Sequence, residues 1–255
     1  MKFLSYSQKP KCASKKNNLL FHGPSLLIGA TIASVSIILS FIAFNAVNNE
    51  TELVFEPVPK PQESIFQNQI TSTFFAKGSP IRGDENAPIT LIEFGDYQCH
   101  FCNVHFHNTE HELLENYIET GKVKMIFNDF TIIGPDSINA AHGTHCANDQ
   151  GKFWEYHDIL YNNWTGENNG WASSENLLKF AKEIELNIDH WSNCMIEAKY
   201  SKIITDSSKN ARDLGITGTP AFFVVGPDDN IVKISGAQPF ENFKKIFEEE
   251  LQKIS

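Results

Sequence analysis

The chain has no acidic residue before Glu50 and no charged residue of either sign between Pro24 and Val47. No internal repeat is visible, so a solenoid or propeller has no support. Cysteine is scarce, with five in 255 residues. Positive charge is scarce too once the N-terminus is passed. The five lysines before Val47 (Lys2, Lys9, Lys11, Lys15 and Lys16) all lie in the first sixteen residues. The remainder carries 21 − 5 = 16 basic and 31 acidic residues, a net of −15. So acidic a surface argues against nucleic acid as a partner. With 41% hydrophobic residues, the chain holds enough apolar material for one domain of about 150–200 residues.

The uncharged stretch 24–47 is mostly Leu, Ile, Val, Ala, Phe and Ser. At about 1.5 Å per residue, a helix of this length spans a hydrocarbon core of roughly 30 Å. A cleaved signal peptide is the rival reading, but its apolar core usually runs about 7–15 residues before a small-x-small site. Here the run is longer, and Phe41 and Phe44 stand two residues before Ala43 and Ala46. The expectation is an uncleaved transmembrane anchor at 24–47, with the basic segment 1–23 in the cytoplasm and the acidic bulk outside. Disulfides persist in that compartment. Cys12 is then a cytosolic thiol, and Cys99, Cys102, Cys146 and Cys194 are extracytoplasmic. Residues 48–72, with Pro57, Pro59 and Pro61 among glutamates, read as an extended acidic linker. The folded domain is expected over 73–255.

What the exported part does have is concentrated at Leu91-Ile92-Glu93-Phe94-Gly95-Asp96-Tyr97-Gln98-Cys99-His100-Phe101-Cys102. Ile89 to Phe94 is apolar and β-branched apart from Thr90 and Glu93, which suits a buried strand. Gly95 and Asp96 break it. From His105 to Ile118 the apolar residues Phe106, Leu113, Leu114, Tyr117 and Ile118 recur at helical spacing, until Gly121. Cys99 is thus expected near a helix N-terminus, where the peptide dipoles favour a thiolate. Thr73 to Lys77 reads as a short edge strand, Gly78 to Pro88 as turns, and Lys122 to Phe127 as the next strand. Helical patterns then run from Gly134 to about Asp213: Asp136-Ser137 as a cap, a helix over Gly151 to Asn162, one capped at Ser173-Ser174-Glu175, and one from near Asp189 to Asp213, either continuous or with a break. Ala221 to Val225 and Asn230 to Ser235 read as a hairpin through Gly226-Pro227-Asp228-Asp229, followed by an amphipathic helix from Phe240 to Ile254.

A Cys-x-x-Cys alone is a weak signal. More than a hundred residues later stands Gly215-Ile216-Thr217-Gly218-Thr219-Pro220-Ala221-Phe222-Phe223-Val224-Val225, which resembles the cis-proline loop and following strand of thioredoxin-fold oxidoreductases. Together the two stretches resemble the DsbA-like thiol–disulfide oxidoreductases, over roughly Lys77 to Ile254. The segment from Gln150 to Asp158 also resembles one found in that family. The resemblance implies an α/β thioredoxin-like fold with a helical insertion at about 134–213, here preceded by one transmembrane helix. It implies Cys99 as the accessible nucleophile, Cys102 as the resolving thiol, and Glu93 as a buried acid managing the inner thiol's proton. For Glu93 an edge-facing glutamate paired with a lysine is the alternative. Thr219 and Pro220 would bind an extended substrate peptide. Many family members have proline where this chain has His100. A cationic imidazole there would stabilise the thiolate, and an exposed histidine of little effect is the plainer reading. Cys146 and Cys194 are a candidate structural disulfide, with two free thiols or a second shuttling pair as rivals.

The expected activity is thiol–disulfide exchange as a disulfide-donating oxidase. Its partners would be reduced or misfolded exported proteins and a membrane oxidoreductase, plausibly quinone-linked, that recharges the pair. No cofactor is expected. A reductase or isomerase is the alternative within the same chemistry. From a different class, a tethered copper-binding or metal-delivery module would use His100, His105, His107 and His111 with the two cysteines. Helical spacing puts only His107 and His111 on one face, so no metal site is assigned.

Overall fold

A computed structural model describes residues 80–254. The expected segments 1–23, 24–47 and 48–72, Cys12 and the edge strand at Thr73 to Lys77 lie outside the described residues. Among the described residues no helix is long and apolar enough to cross a membrane.

Five strands form one sheet in the order β1-β3-β2-β4-β5. They are β1 (Ile81–Arg82), β2 (Ile89–Gly95), β3 (Val123–Asp129), β4 (Ala221–Val225) and β5 (Ile231–Ser235). β2 lies at the centre, parallel to β3 and antiparallel to β4. Every residue of β2 is buried, as its near-continuous apolar run requires. Successive side chains alternate between faces, so Ile92 and Phe94 pack in one apolar cluster and Ile89 and Leu91 in another. Glu93 shares parity with the second set. At the end of β2, a Cβ on Gly95 would stand 2.5 Å from the Phe127 ring, so only glycine fits.

β2 feeds through the Asp96-Tyr97-Gln98-Cys99 turn into helix α1. This helix begins at His100–His105 and continues without interruption to Ile118. It contains two π-helical turns, Phe106–Glu110 and Leu114–Ile118, around the short α segment His111–Leu113. The expected helix is therefore present, with Cys99 at its N-terminus as expected, but it is not regular. Gly121, at φ +73°, ends it.

Between β3 and β4 lie five helices: α2 (Pro135–Asn148), α3 (Phe153–Asn162), α4 (Ser174–Glu183), α5 (Ile188–Ile196) and α6 (Ser201–Asp213). They form the inserted layer, whose core joins Tyr97 and the Cys pair to Tyr156, Leu160, Trp171, Phe180 and Trp191. The last helix, α7 (Phe240–Gln252), covers the sheet with Phe243 and Phe247.

Several expected boundaries are corrected. A two-residue edge strand, Ile81–Arg82, lies inside the stretch read as turns. It exists because Met125 and Ile126 offer free backbone edges to pair with, information absent from its own residues. β3 runs two residues further, carrying the polar Asn128 and Asp129 into the interior. Helix α2 is not capped by Asp136 or Ser137: Gly134 holds the cap position and Pro135 opens the helix. Ser173 does cap α4, accepting from the Asn176 N–H. Asn187, ahead of Asp189, caps α5 by accepting from the His190 N–H at 3.0 Å. The run from Asp189 to Asp213 breaks between α5 and α6, where Ala198 takes φ +49°.

Candidate active site

The site lies where β2 ends and α1 begins. Cys99 is the residue just before the helix, in an extended conformation, and its N–H donates to the Asp96 carbonyl at 2.9 Å. This turn is held by buried polar groups. The Asp96 carboxylate accepts from the Gln98 N–H at 2.8 Å and from the Ile132 and Ile133 N–H groups at 2.8 and 3.0 Å. The Gln98 side chain donates to Ser137 Oγ and accepts from the Asn168 N–H, and the Gln98 backbone carbonyl accepts from Trp164 Nε1 at 2.8 Å. The cysteine turn is thus clamped to the inserted layer from three directions. The sequence marks Asp96 only as a strand breaker, because its partners Ile132 and Ile133 are more than thirty residues away.

Cys99 and Cys102 are free thiols. Contrary to the expected exposed nucleophile, Cys99 is buried, at 5% exposure against 1% for Cys102. The Thr219-Pro220 loop comes down on it, with the Thr219 carbonyl 3.3 Å from its sulfur. The Thr219–Pro220 bond is cis. The buried Thr219 hydroxyl can donate to the Cys99 thiolate and so lowers the Cys99 pKa, whereas the carbonyl can only accept from the neutral thiol.

The two thiols are pushed apart. Hydrogen bonding from the Cys102 thiol is the largest cause that lowers the Cys99 pKa, to about 6, with help from Thr219 and the backbone N–H groups of Cys102 and Phe101. Cys102 moves well above the ordinary thiol range, mainly through burial, then through its hydrogen bond to Cys99 and the nearby charges of Cys99 and Glu93. Glu93 is fully buried under the pair, not at a sheet edge, and no lysine among the described residues pairs with it. Burial, then Glu110 and Cys99, push its carboxyl well above the usual carboxylate range.

His100 sits at the exposed rim. Its ring packs 5.6 Å from Trp164 and 5.3 Å from Phe101, and its N–H donates to Glu167 Oε1 at 3.0 Å. Phe101 is 59% exposed beside the site. The four helix histidines are not gathered. His105 is buried against Phe222 and Phe243, His107 faces the Tyr161 carbonyl, and His111 pairs with Glu115 on the surface. The copper set considered above therefore has no common centre. Two other groups do bring donor atoms within 4.8 Å of one another: Glu93, His105 and Glu110, and Glu110, His157 and Asp158. Positive charge for the second comes from Arg82, at 3.3 Å from Glu110 and 2.9 Å from Asp158.

Cys146 of α2 and Cys194 of α5 are joined by a disulfide with Cα atoms 5.8 Å apart. Both are buried in the core of the inserted layer.

The arrangement holds one easily ionised sulfur, one sulfur that resists ionisation, a buried carboxyl raised above the usual carboxylate range beneath them and the Thr219–Pro220 loop above. These are the parts that thiol–disulfide exchange requires. A family model described as thioredoxin matches residues 76–249. Disulfide bond formation protein D of Bacillus subtilis is 27% identical over 186 residues, covering 69% of this chain and 78% of that protein. Among solved structures, oxidised BdbD from Bacillus subtilis superposes with a TM-score of 0.62 at 24% identity, covering 69% of this chain and 94% of that one. Alpha-DsbA1 of Wolbachia pipientis superposes with a TM-score of 0.65 at 26% identity, covering 73% and 96%. The family match runs through the sheet, the cysteine helix and the helical insertion alike, and the chain belongs to the thioredoxin family.

Proposed function

We propose that this protein is a protein-disulfide oxidoreductase that donates a Cys99–Cys102 disulfide to exported proteins. The observation that carries this reading is the asymmetry of the pair, with Cys99 lowered to about 6 and Cys102 raised. A stabilised Cys99 thiolate favours the reduced form, and a protein whose reduced form is stabilised is a strong oxidant. The names of its relatives agree: disulfide bond formation protein D and alpha-DsbA1.

In this reading a substrate thiolate attacks Cys99 Sγ. The Sγ–Sγ bond breaks and its electron pair leaves on Cys102, which takes a proton from Glu93. A second substrate thiolate then attacks the substrate sulfur of the mixed disulfide and expels Cys99 as a thiolate. The substrate backbone lies along Thr219, where the carbonyl over Cys99 is an acceptor and no side chain blocks the sulfur. Low exposure of Cys99 adds selectivity, because an extended peptide reaches it and a bulky surface does not. The exposed Phe101 and His100 supply the rim against which the substrate packs.

The chain is further proposed to be anchored through 24–47, with residues 1–23 cytoplasmic, 48–72 as a spacer and the catalytic domain extracytoplasmic. The uncharged run and the one-sided lysines support this. A membrane oxidoreductase would then reoxidise the pair.

The first test is the reduction potential of the Cys99–Cys102 pair in glutathione buffers. A value near or above about −180 mV supports a disulfide donor. A value near about −270 mV resembles thioredoxin and makes the protein a reductase.

A further inference from the structure

When the Cys99–Cys102 disulfide opens, the sulfur that needs a proton is the inner one. Cys102 and Glu93 are each 1% exposed, and a substrate lying on Thr219 closes the remaining opening at Cys99. Glu93 holds one proton. Each turnover, in either direction, requires that proton to be exchanged with water by another route.

Such a route is built behind Glu93. His105 is fully buried, with its ring 4.5 Å from that of Phe222, the residue paired with Glu93 across the sheet. Neither ring nitrogen makes a hydrogen bond, nor does Glu93 Oε2. An unsatisfied buried polar group costs about 1–3 kcal/mol, and an apolar residue would fill the space between Phe222 and Phe243 without that cost. Structural packing therefore gives no reason for an imidazole here.

Next comes Glu110, buried, with one oxygen accepting from Arg82 at 3.3 Å. Acceptor and donor atoms of Glu93, His105 and Glu110 lie within 4.8 Å of one another, a gap closed by one water or a small swing of a carboxyl. Glu110 also lines a surface cavity of about 450 Å³ with Arg82, His107, His111 and Asp158.

The backbone explains how two residues five apart meet under one carboxyl. In a regular α-helix they would point about 140° apart. The turn Phe106–Glu110 is π-helical, and its i to i+5 bonding stacks Glu110 over His105.

We propose that His105 and Glu110 form a proton relay that connects the cavity beside Arg82 to Glu93, and through it to Cys102. The relay rests on the disulfide-exchange reading above. During donation, Glu93 gives its proton to the Cys102 thiolate. His105 then releases its N–H proton to Glu93 and takes one from Glu110 on its other nitrogen, and Glu110 is reprotonated from water. The substrate loses two protons and two electrons. One proton equivalent ends on Cys102, and the other stays in solvent, since Cys99 leaves as a thiolate. Recharging runs the same transfers backwards.

The charges around the route suit it. Burial, with a smaller push from His157, holds His105 neutral, its pKa lowered to about 3. A neutral imidazole carries one donor and one acceptor nitrogen, the form a relay needs. Burial and Asp158 raise Glu110, against the lowering influence of His157 and Arg82, so its carboxyl holds a proton further up the pH scale. Tyr97 and Tyr161, the other titratable groups against Glu93, are raised well above their ordinary range and stay neutral.

The test compares the full chain with its His105→Leu and Glu110→Gln variants. Single-turnover rates of peptide oxidation and of reoxidation by glutathione disulfide are measured in H₂O and D₂O, together with the reduction potential. A relay moves rates and not equilibria. Both rates are expected to fall together by about tenfold or more, with a larger solvent isotope effect and an unchanged potential. Glu110→Gln keeps the hydrogen bond to Arg82, so it gives the answer if His105→Leu does not fold. Parent rates in a folded variant overturn the proposal. So does a shift in potential that accounts for the rate loss, which would show only an electrostatic influence. A parent chain that exchanges no disulfide would instead defeat the underlying reading, and the relay with it.

Discussion

The molecule carries two pairs of cysteines in one apolar cluster, and they behave differently. Cys146 and Cys194 are separated by 48 residues, sit on two packed helices and are bonded. Cys99 and Cys102 are three apart, unbonded, and lie by a helix start, the Thr219 side chain and Glu93, whose carboxyl is raised above the usual range. The same element is a staple in one place and a reagent in the other. Burial does not separate them, since all four cysteines are buried. The difference lies in which ionised form the surroundings stabilise: a low pKa at one sulfur of a pair makes it a nucleophile and a good leaving group.

That contrast can be broken most directly at the sulfurs. Cys99→Ala is expected to abolish disulfide transfer to a reduced test protein, and Cys102→Ala to trap a mixed disulfide through Cys99, visible on a non-reducing gel. Transfer at the parent rate in both variants would refute the assignment. Replacing Cys146 and Cys194 together by alanine should instead leave the transfer rate of the folded protein unchanged and lower its unfolding free energy by about 2–4 kcal/mol. The chain-entropy ceiling for a loop of this length is about 4 kcal/mol. Loss of transfer without loss of stability would mean that the second pair also shuttles.

Smaller effects sharpen the comparison. Thr219→Val keeps the shape of the loop and removes the hydroxyl. Thiolate absorbance of Cys99 should then titrate about one unit higher than the parent, and no change would mean that the hydroxyl plays no part. The Cys99 pKa is depressed to about 6 from the ordinary thiol value of 9.0. Its contribution to the stability of the reduced protein is therefore fully present above pH 9 and is lost as pH falls through about 6. Thermal unfolding of the dithiol and disulfide forms should converge correspondingly on acidification. A gap constant from pH 9 to pH 5 would contradict the lowered pKa. The smallest change is expected for His100→Ala, about 30 mV or less in potential, because solvent and salt screen a rim residue.

Much of the fold was legible because local patterns and tertiary needs agree. An apolar run with one acid, a glycine at its end and a cysteine pair before a helical period place β2, the turn and the start of α1. Ser173 announced its helix because a cap acts within three residues. The linear pattern misled where the deciding partner was distant. Ile81–Arg82 became a strand through β3, and Asp129 was carried into the interior beside His145, whose Nε2 lies 2.7 Å away. Cys99 reads as an exposed thiol from its place before a helix, and it is covered only because a loop 120 residues later folds over it.

By itself, the sequence determined the kind of chemistry: two thiols three residues apart at a helix start, a carboxylate in a buried strand, a Thr-Pro loop and an acidic surface. Those depend on residue type and short-range geometry, which propagate along the chain without help. Tertiary structure alone decided how the chemistry is poised. It chose which thiol receives hydrogen bonds and which is desolvated, joined Cys146 to Cys194, and aligned His105 and Glu110 beneath Glu93 through a π-helical turn that an α-helical period does not reveal. Those outcomes depend on desolvation and on contacts between distant segments, and both exist only once the layers have packed.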